Sequence, residues 1–140
     1  MTFKQVFTGL AAALAVTSAL AWPTKPIALV VPFPPGGSTD LIARTLSAKM
    51  GEKLGGATVV VENKPGATGT IGATQVARAQ PDGHTLFVAS LGPFVIAPHL
   101  IKVQYDALKD LDPITVVVQA PNVLVVPAAS PHKNLAEVIA

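Results

Sequence analysis

Two stretches of the sequence carry residue types suited to gripping a small anion. The first is Pro32-Phe33-Pro34-Pro35-Gly36-Gly37-Ser38-Thr39-Asp40, and the second is Asn63-Lys64-Pro65-Gly66-Ala67-Thr68-Gly69-Thr70-Ile71-Gly72. Each follows a run of β-branched residues and precedes a helical pattern. Gly and Pro stiffen such a turn and let the backbone approach a guest closely. The first N–H groups of a helix have no partner inside it, and the helix dipole favours negative charge at that end. The N–H groups of Gly37, Ser38 and Thr39 are therefore expected to form an anion seat, and the second stretch repeats the device. Neither is a phosphate loop, since Gly-x-Gly-x-x-Gly is absent and no Gly-Lys-Ser/Thr follows. For one such loop alone, a helix cap with a tight turn is the ordinary role. Two of them on one edge of a sheet shift the balance toward binding.

Side chains with reactive chemistry are sparser. Val88-Ala89-Ser90-Leu91-Gly92 places Ser90 just after a strand-like run, but Val88 stands where a nucleophile elbow has its first Gly. Ser90 is read instead as a ligand contact from a third loop, with a hydrolase nucleophile as the alternative. His84, His99 and His132 lie apart in loop-like surroundings and read as surface histidines, so no metal site and no cofactor are expected. Asp40 sits where a first-turn carboxylate meets the helix dipole, and Arg44 is one turn away for an i, i+4 pair.

Composition narrows the classes further. The chain has 140 residues with no Cys, which removes disulfides, thiolate metal sites and lipid attachment through Cys. Only 13% of residues are charged and the net charge is +2, with the cations scattered, so no nucleic-acid footprint exists. Residues 1–21 combine one cation, Lys4, with a small, apolar stretch ending in Ala19-Leu20-Ala21. This pattern predicts a secretory signal peptide cut after Ala21, leaving Trp22 as the N-terminus of an exported, unanchored protein.

The elements that must position the loops follow from five apolar runs: 27–31, 58–61, 85–89, 114–118 and 123–126. Runs with no polar face belong to a sheet covered on both sides. Leu41, Ile42, Leu46, Met50 and Leu54 predict one helical stripe, capped by Ser38, Thr39 or Asp40 and closed by Gly55-Gly56. Ile71, Val76 and Ala79 predict a shorter helix ended by Gln80-Pro81-Asp82-Gly83. The order β-α-β-α-β builds the opening half of a doubly wound, mainly parallel α/β sheet. A short helical turn is expected around 94–100. The last two runs are expected to pair antiparallel or bend apart, since Gln119-Ala120-Pro121-Asn122 is too short for a parallel crossover. Asn134-Leu135-Ala136-Glu137 resembles a capping box opening one more helix. Residues 22–140 therefore read as the front part of something larger.

Taken in order, these motifs resemble the Bug family of periplasmic binding proteins, the substrate-binding receptors of tripartite tricarboxylate transporters. The resemblance runs from Trp22 to Ala140. It rests on Trp22-Pro23-x-Lys25-Pro26-Ile27, the stretch Pro32 to Asp40 with Ala43-Arg44, and Val61-Glu62-Asn63-Lys64-Pro65-Gly66-Ala67. Ile71-Gly72, Pro81-Asp82-Gly83-x-Thr85-Leu86 and Pro121-Asn122-Val123-Leu124-Val125-Val126 complete it. The resemblance implies a hinged, two-lobed receptor of the type II periplasmic-binding-protein architecture, of which this chain would be much of the first lobe, with the second lobe absent. Such a receptor captures a small carboxylate metabolite in the periplasm and delivers it to membrane permease subunits; a monomer is expected. The family's main-chain carboxylate grip carries over onto Phe33, Gly36, Gly37, Ser38, Asp40, Ala67, Thr68 and Gly69. Family members often have Gly where this chain has Thr68, and Tyr where it has His84. A Ser90 hydrolase and a sensor or scaffold lobe remain the alternatives from other classes.

Overall fold

A computed structural model describes residues 22–121 and 123–139 of the chain. The expected signal peptide, residues 1–21, lies outside the described residues. The elements in chain order are β1 (Ile27–Val31), α1 (Ser38–Lys53), β2 (Val59–Asn63), α2 (Thr70–Ala77), β3 (Thr85–Phe87), α3 (Ala97–Leu100) and α4 (Leu135–Ile139). A tight turn at Ala67–Gly69 leads into α2, and a wide π-type turn at Gly92–Ile96 leads into α3.

The three strands form one parallel sheet in the order β2-β1-β3. Ile27 pairs with Val59, Val31 with Asn63, and Leu29 with Leu86, so β1 is hydrogen-bonded on both sides. Its residues Ile27, Leu29, Val30 and Val31 are fully buried, as a strand with neighbours on both edges and a helix over each face requires. Right-handed crossovers that run first one way and then the other place α1 and α2 on opposite faces. The chain thus changes direction between β1 and β3, which makes the crevice beyond their carboxyl ends the topological switch point.

The helices meet the sheet largely along the expected stripes, with Ile42, Leu46, Met50, Leu54, Val76 and Ala79 half-buried. In α1 the buried residues are Asp40 and Ala43, whereas Leu41 is 67% exposed. In α2, Thr70, Gly72 and Ala73 face inward and Ile71 is half exposed. Small residues win the inner face because they let a helix axis approach the sheet, and in α1 a polar clasp at Asp40 fixes the rotation. The α1 terminus follows expectation: the Gly56 N–H donates to the Gly51 carbonyl at 2.9 Å, closing a Schellman turn through Gly55.

Two expected strands are not formed. Residues 114–118 and 123–126 adopt no regular structure, and Ile114 and Val125 are each 78% exposed. A preference for the strand conformation is largely a fit to neighbouring strands and a covered face, and no described strand lies beside either run. The expected turn around 94–100 is present as the π-type turn and α3. The last helix begins as the capping box predicts, with the Glu137 N–H donating to Asn134 Oδ1 at 3.0 Å.

His84 is not a surface histidine. It is 6% exposed, its Nε2 accepts the Thr24 N–H at 3.2 Å, and Trp22 lies against its ring at 5.6 Å. Lys25 bridges to Asp82 at 2.8 Å in the same cluster. That ion pair, together with the His84 N–H, lowers the Asp82 carboxyl to about 2. The cluster stands at the amino ends of β1 and β3, since the His84 carbonyl accepts the Ala28 N–H. It ties the first described residues to the back of the sheet.

Candidate functional site

Because the strands are parallel, the loops following β1, β2 and β3 all emerge at one edge, and the structure packs them together. Gly69 of the second loop sits against Pro32 of the first and Pro93 beyond the third: a Cβ there would lie 3.2 Å from Pro32 Cβ and 3.4 Å from Pro93 Cγ. A Cβ on Gly92 would lie 3.8 Å from the Thr68 carbonyl and 3.9 Å from Ser90 Oγ. The second and third loops therefore adjoin, and the first is wedged between them through Pro32. Tyr105, 7% exposed, props this wall by donating its hydroxyl to the Pro93 carbonyl.

The first loop turns into α1 at Gly37, which caps the helix in an extended conformation with φ −77° and ψ 169°. The N–H groups of Gly37, Ser38 and Thr39 meet no acceptor among the described residues. Gly36 differs, because its N–H is taken by Asp40 Oδ2 at 2.9 Å. Asp40 is buried and both its oxygens are engaged: Oδ2 also accepts Arg44 Nε at 2.9 Å, and Oδ1 accepts Asn63 Nδ2 at 2.9 Å. The Arg44 guanidinium foremost, then the Gly36 N–H and the Asn63 amide, hold the Asp40 carboxyl well below its usual range. In return Asp40 raises the Arg44 pKa. Asp40 thus sits in the site as a bracket for the first loop, its charge met by Arg44.

Residues 66–69 turn left-handed throughout, with φ of 130°, 45°, 57° and 90°. Ala67 and Thr68 have a Cβ and pay for that conformation with local strain, which persists only where the surroundings dictate it. Thr70 supports the turn by donating its hydroxyl to the Ala67 carbonyl at 2.9 Å. Phe33 is half-buried and its carbonyl accepts Asn63 Nδ2 at 3.1 Å. Ser90 is exposed at the rim, and no hydrogen bond joins it to a base among the described residues. No group of three or more His, Cys, Asp or Glu able to hold a metal ion occurs among the described residues.

All nine residues expected at the site therefore lie on the loops and helix starts of one sheet edge. Gly37, Ser38, Ala67, Thr68 and Ser90 are exposed there, Phe33 and Gly36 shape the first loop, and Asp40 braces it, whereas Gly69, expected to offer its N–H, is buried and donates it to the Gly66 carbonyl at 2.9 Å. Sequence reasoning missed Asn63, Pro32 and Pro93 as parts of this arrangement. Asn63 carries the only available signal, a polar amide closing a strand that opens with three valines.

The arrangement can donate hydrogen bonds to an anion: it presents amides without an internal acceptor at a helix tip, flanked by hydroxyls and left-handed backbone, at a switch point. The profile of the family described as "Tripartite tricarboxylate transporter family receptor" matches residues 42–140. BugT of Bordetella pertussis is 41% identical over 86% of this chain and 37% of its own length. A Pseudomonas sp. protein from the tcbD-tcbE intergenic region is 40% identical over 97% of this chain and 42% of its own. The chain thus spans about two fifths of the length of these curated relatives. A solved structure described as a periplasmic transporter superposes with a TM-score of 0.60 at 47% identity, over 64% of this chain and 30% of that one. MatC of Rhodopseudomonas palustris, solved with bound malate, superposes with a TM-score of 0.60 at 46% identity and the same coverage. With profile, relatives and structures in agreement, the chain belongs to the tripartite tricarboxylate transporter receptor family.

Proposed function

We propose that this chain is the carboxylate-gripping part of a periplasmic solute-binding receptor, which takes up a small carboxylate metabolite and hands it to membrane permease subunits. The observation that carries this reading is the packing of the second and third βα loops against Pro32 of the first, at the same sheet edge where the amides of Gly37, Ser38 and Thr39 meet no acceptor among the described residues. Malate bound to MatC supports a carboxylate as the class of ligand. The role is binding rather than catalysis, because three or four charge-assisted hydrogen bonds at roughly 1.5–3 kcal/mol each approach the roughly 8 kcal/mol of a micromolar complex. Ala67, Thr68 and Ser90 extend the grip from the second and third loops. Residues 22–140 form the first part of one lobe, and the receptor acts as a monomer exported after cleavage behind Ala21. No helix among the described residues is long and apolar enough to cross a membrane.

The seat can be tested by removing one N–H without disturbing the helix. Ser38 is the first residue of α1, where proline's fixed φ suits the helix and its missing donor is not needed within it. Gly37 already has the extended backbone that a residue preceding proline requires. Ser38→Pro in the complete protein should leave the thermal midpoint within about 2 °C, since no helical bond is lost. Its affinity for malate, succinate or citrate, read by titration calorimetry, should fall about 10- to 100-fold through loss of one charge-assisted bond. Unchanged affinity in the folded variant, or no uptake of any of the three acids by the parent, would refute the reading.

A further inference from the structure

We propose that Asn63 is a positioning residue of the carboxylate seat, the tie that fixes the first loop and the first turn of α1 in one orientation; this rests on the receptor reading above. Its side chain spends every hydrogen-bonding group on that task. The two N–H bonds of Nδ2 go to the Phe33 carbonyl at 3.1 Å and to Asp40 Oδ1 at 2.9 Å. Oδ1 accepts Arg44 Nη2 at 3.4 Å. One planar amide therefore holds a loop carbonyl at one end of the Pro-Gly turn and the carboxylate that clamps the Gly36 N–H at the other. Between these two anchors lie Pro34 and Pro35, and immediately after them come Gly37 and Ser38, whose N–H groups form the seat.

The tie is as firm as its base. Asn63 closes β2 and is paired in register with Val31, and the next residue extends the ladder through the Lys64 N–H to the Val31 carbonyl at 2.8 Å. The amide thus hangs from an edge strand hydrogen-bonded along its length to the buried β1, and transmits that rigidity to a loop of Pro and Gly that has no side chain of its own able to do so. Placement within a fraction of an ångström is what turns loose amides into a preorganised anion site. No shorter or charged side chain serves. A hydroxyl cannot span both acceptors, and a carboxylate offers them no donor.

The charged groups facing Asn63 are Asp40 and Arg44 from α1, with Glu62 and Lys64 on either side of it in the chain, themselves paired at 3.5 Å. Asn63→Asp keeps the shape but sets an ionised oxygen against the Phe33 carbonyl and against Asp40, while protonation of the new acid restores one donor. The complete protein, with malate, succinate and citrate titrated in parallel, provides the test. Relative to the parent at each pH, Asn63→Asp should bind at least tenfold more weakly at pH 7.5, and the deficit should shrink markedly by pH 4.5. The comparison cancels the ligand's own protonation, and a side chain serving stability alone would not produce this recovery in affinity. Asn63→Ser should show a similar loss at both pH values. Binding within twofold of the parent in either folded variant would overturn the assignment while leaving the receptor reading intact. Failure of both variants to fold would also overturn it, making Asn63 a stability residue. A parent that binds none of the acids overturns both.

Discussion

Gly69→Val is expected to lose a third or more of the fold's stability. Gly69 has φ +90° and ψ 0°, a conformation that a β-branched residue adopts only under strain. The new Cβ would also press on Pro32 at 3.2 Å and on Pro93 at 3.4 Å, two rigid rings that are both fully buried. Left-handed backbone costs a β-carbon about 1–2 kcal/mol, and overpacking a tight contact typically adds about 1–3 kcal/mol. Against the roughly 5–15 kcal/mol that holds an average domain together, the sum of about 2–5 kcal/mol is severe. Urea unfolding of the parent, Gly69→Ala and Gly69→Val should give a graded series, the alanine showing the backbone cost with the Cβ contacts and the valine adding the overpacking of its two methyls. A valine variant as stable as the parent would mean that the three loops do not converge on this point.

Asp40→Asn is expected to lower the thermal midpoint by about 5–10 °C at pH 7, in line with the loss of a polar contact that the fold cannot replace. Three donors face the native carboxylate: the Gly36 N–H, Arg44 Nε and Asn63 Nδ2. An amide at position 40 must turn its own NH2 toward at least one of them, leaving a donor facing a donor in a buried place. The acid side gives a second readout. The folded-state pKa of Asp40 lies below its ordinary value of 3.8, so its contribution is fully present above that value and is lost as pH falls through the folded one. The gap between parent and Asp40→Asn should therefore be constant from pH 7 to 5 and narrow as pH drops below 4. Asp82 and Asp106 are also lowered, so the variant should keep part of the acid sensitivity. A gap of the same size at pH 2.5 and at pH 7 would contradict the bracket role.

Much of this organisation could be read from local chemistry. The run Ile27–Val31 is apolar at every position, and it is the strand buried on both faces. The Pro-Gly stretches before α1 and α2 announced backbone turns, and parallel order alone put them on one edge. What local chemistry could not supply was the tie that fixes the first turn of α1. Of the expected stripe, Ile42, Leu46, Met50 and Leu54 are half-buried and Leu41 alone is exposed, whereas the burial of Asp40 comes with a hydrogen bond to Asn63, 23 residues away. Such a bond leaves no periodic trace. The same bond network explains why Gly36, expected to offer its N–H to a ligand, donates it to Asp40 instead. Residues 114–118 and 123–126 failed for the opposite reason: their composition favours strands, but a strand is made by its neighbours. His84 escaped because its burial comes from Trp22 and Thr24, some 60 positions earlier.

Trp22, the chain's sole tryptophan, donates its indole N–H to the Asp82 carbonyl and leans on His84 at the amino end of the sheet. The five residues of β1, about 15 Å of extended chain, separate it from the loops where a carboxylate would arrive. Intrinsic fluorescence should accordingly follow denaturation of the sheet faithfully and stay flat during ligand titrations. An optical sensor built on this scaffold would need its reporter dye at the opposite pole, for example on the solvent-facing Leu91 beside the third loop.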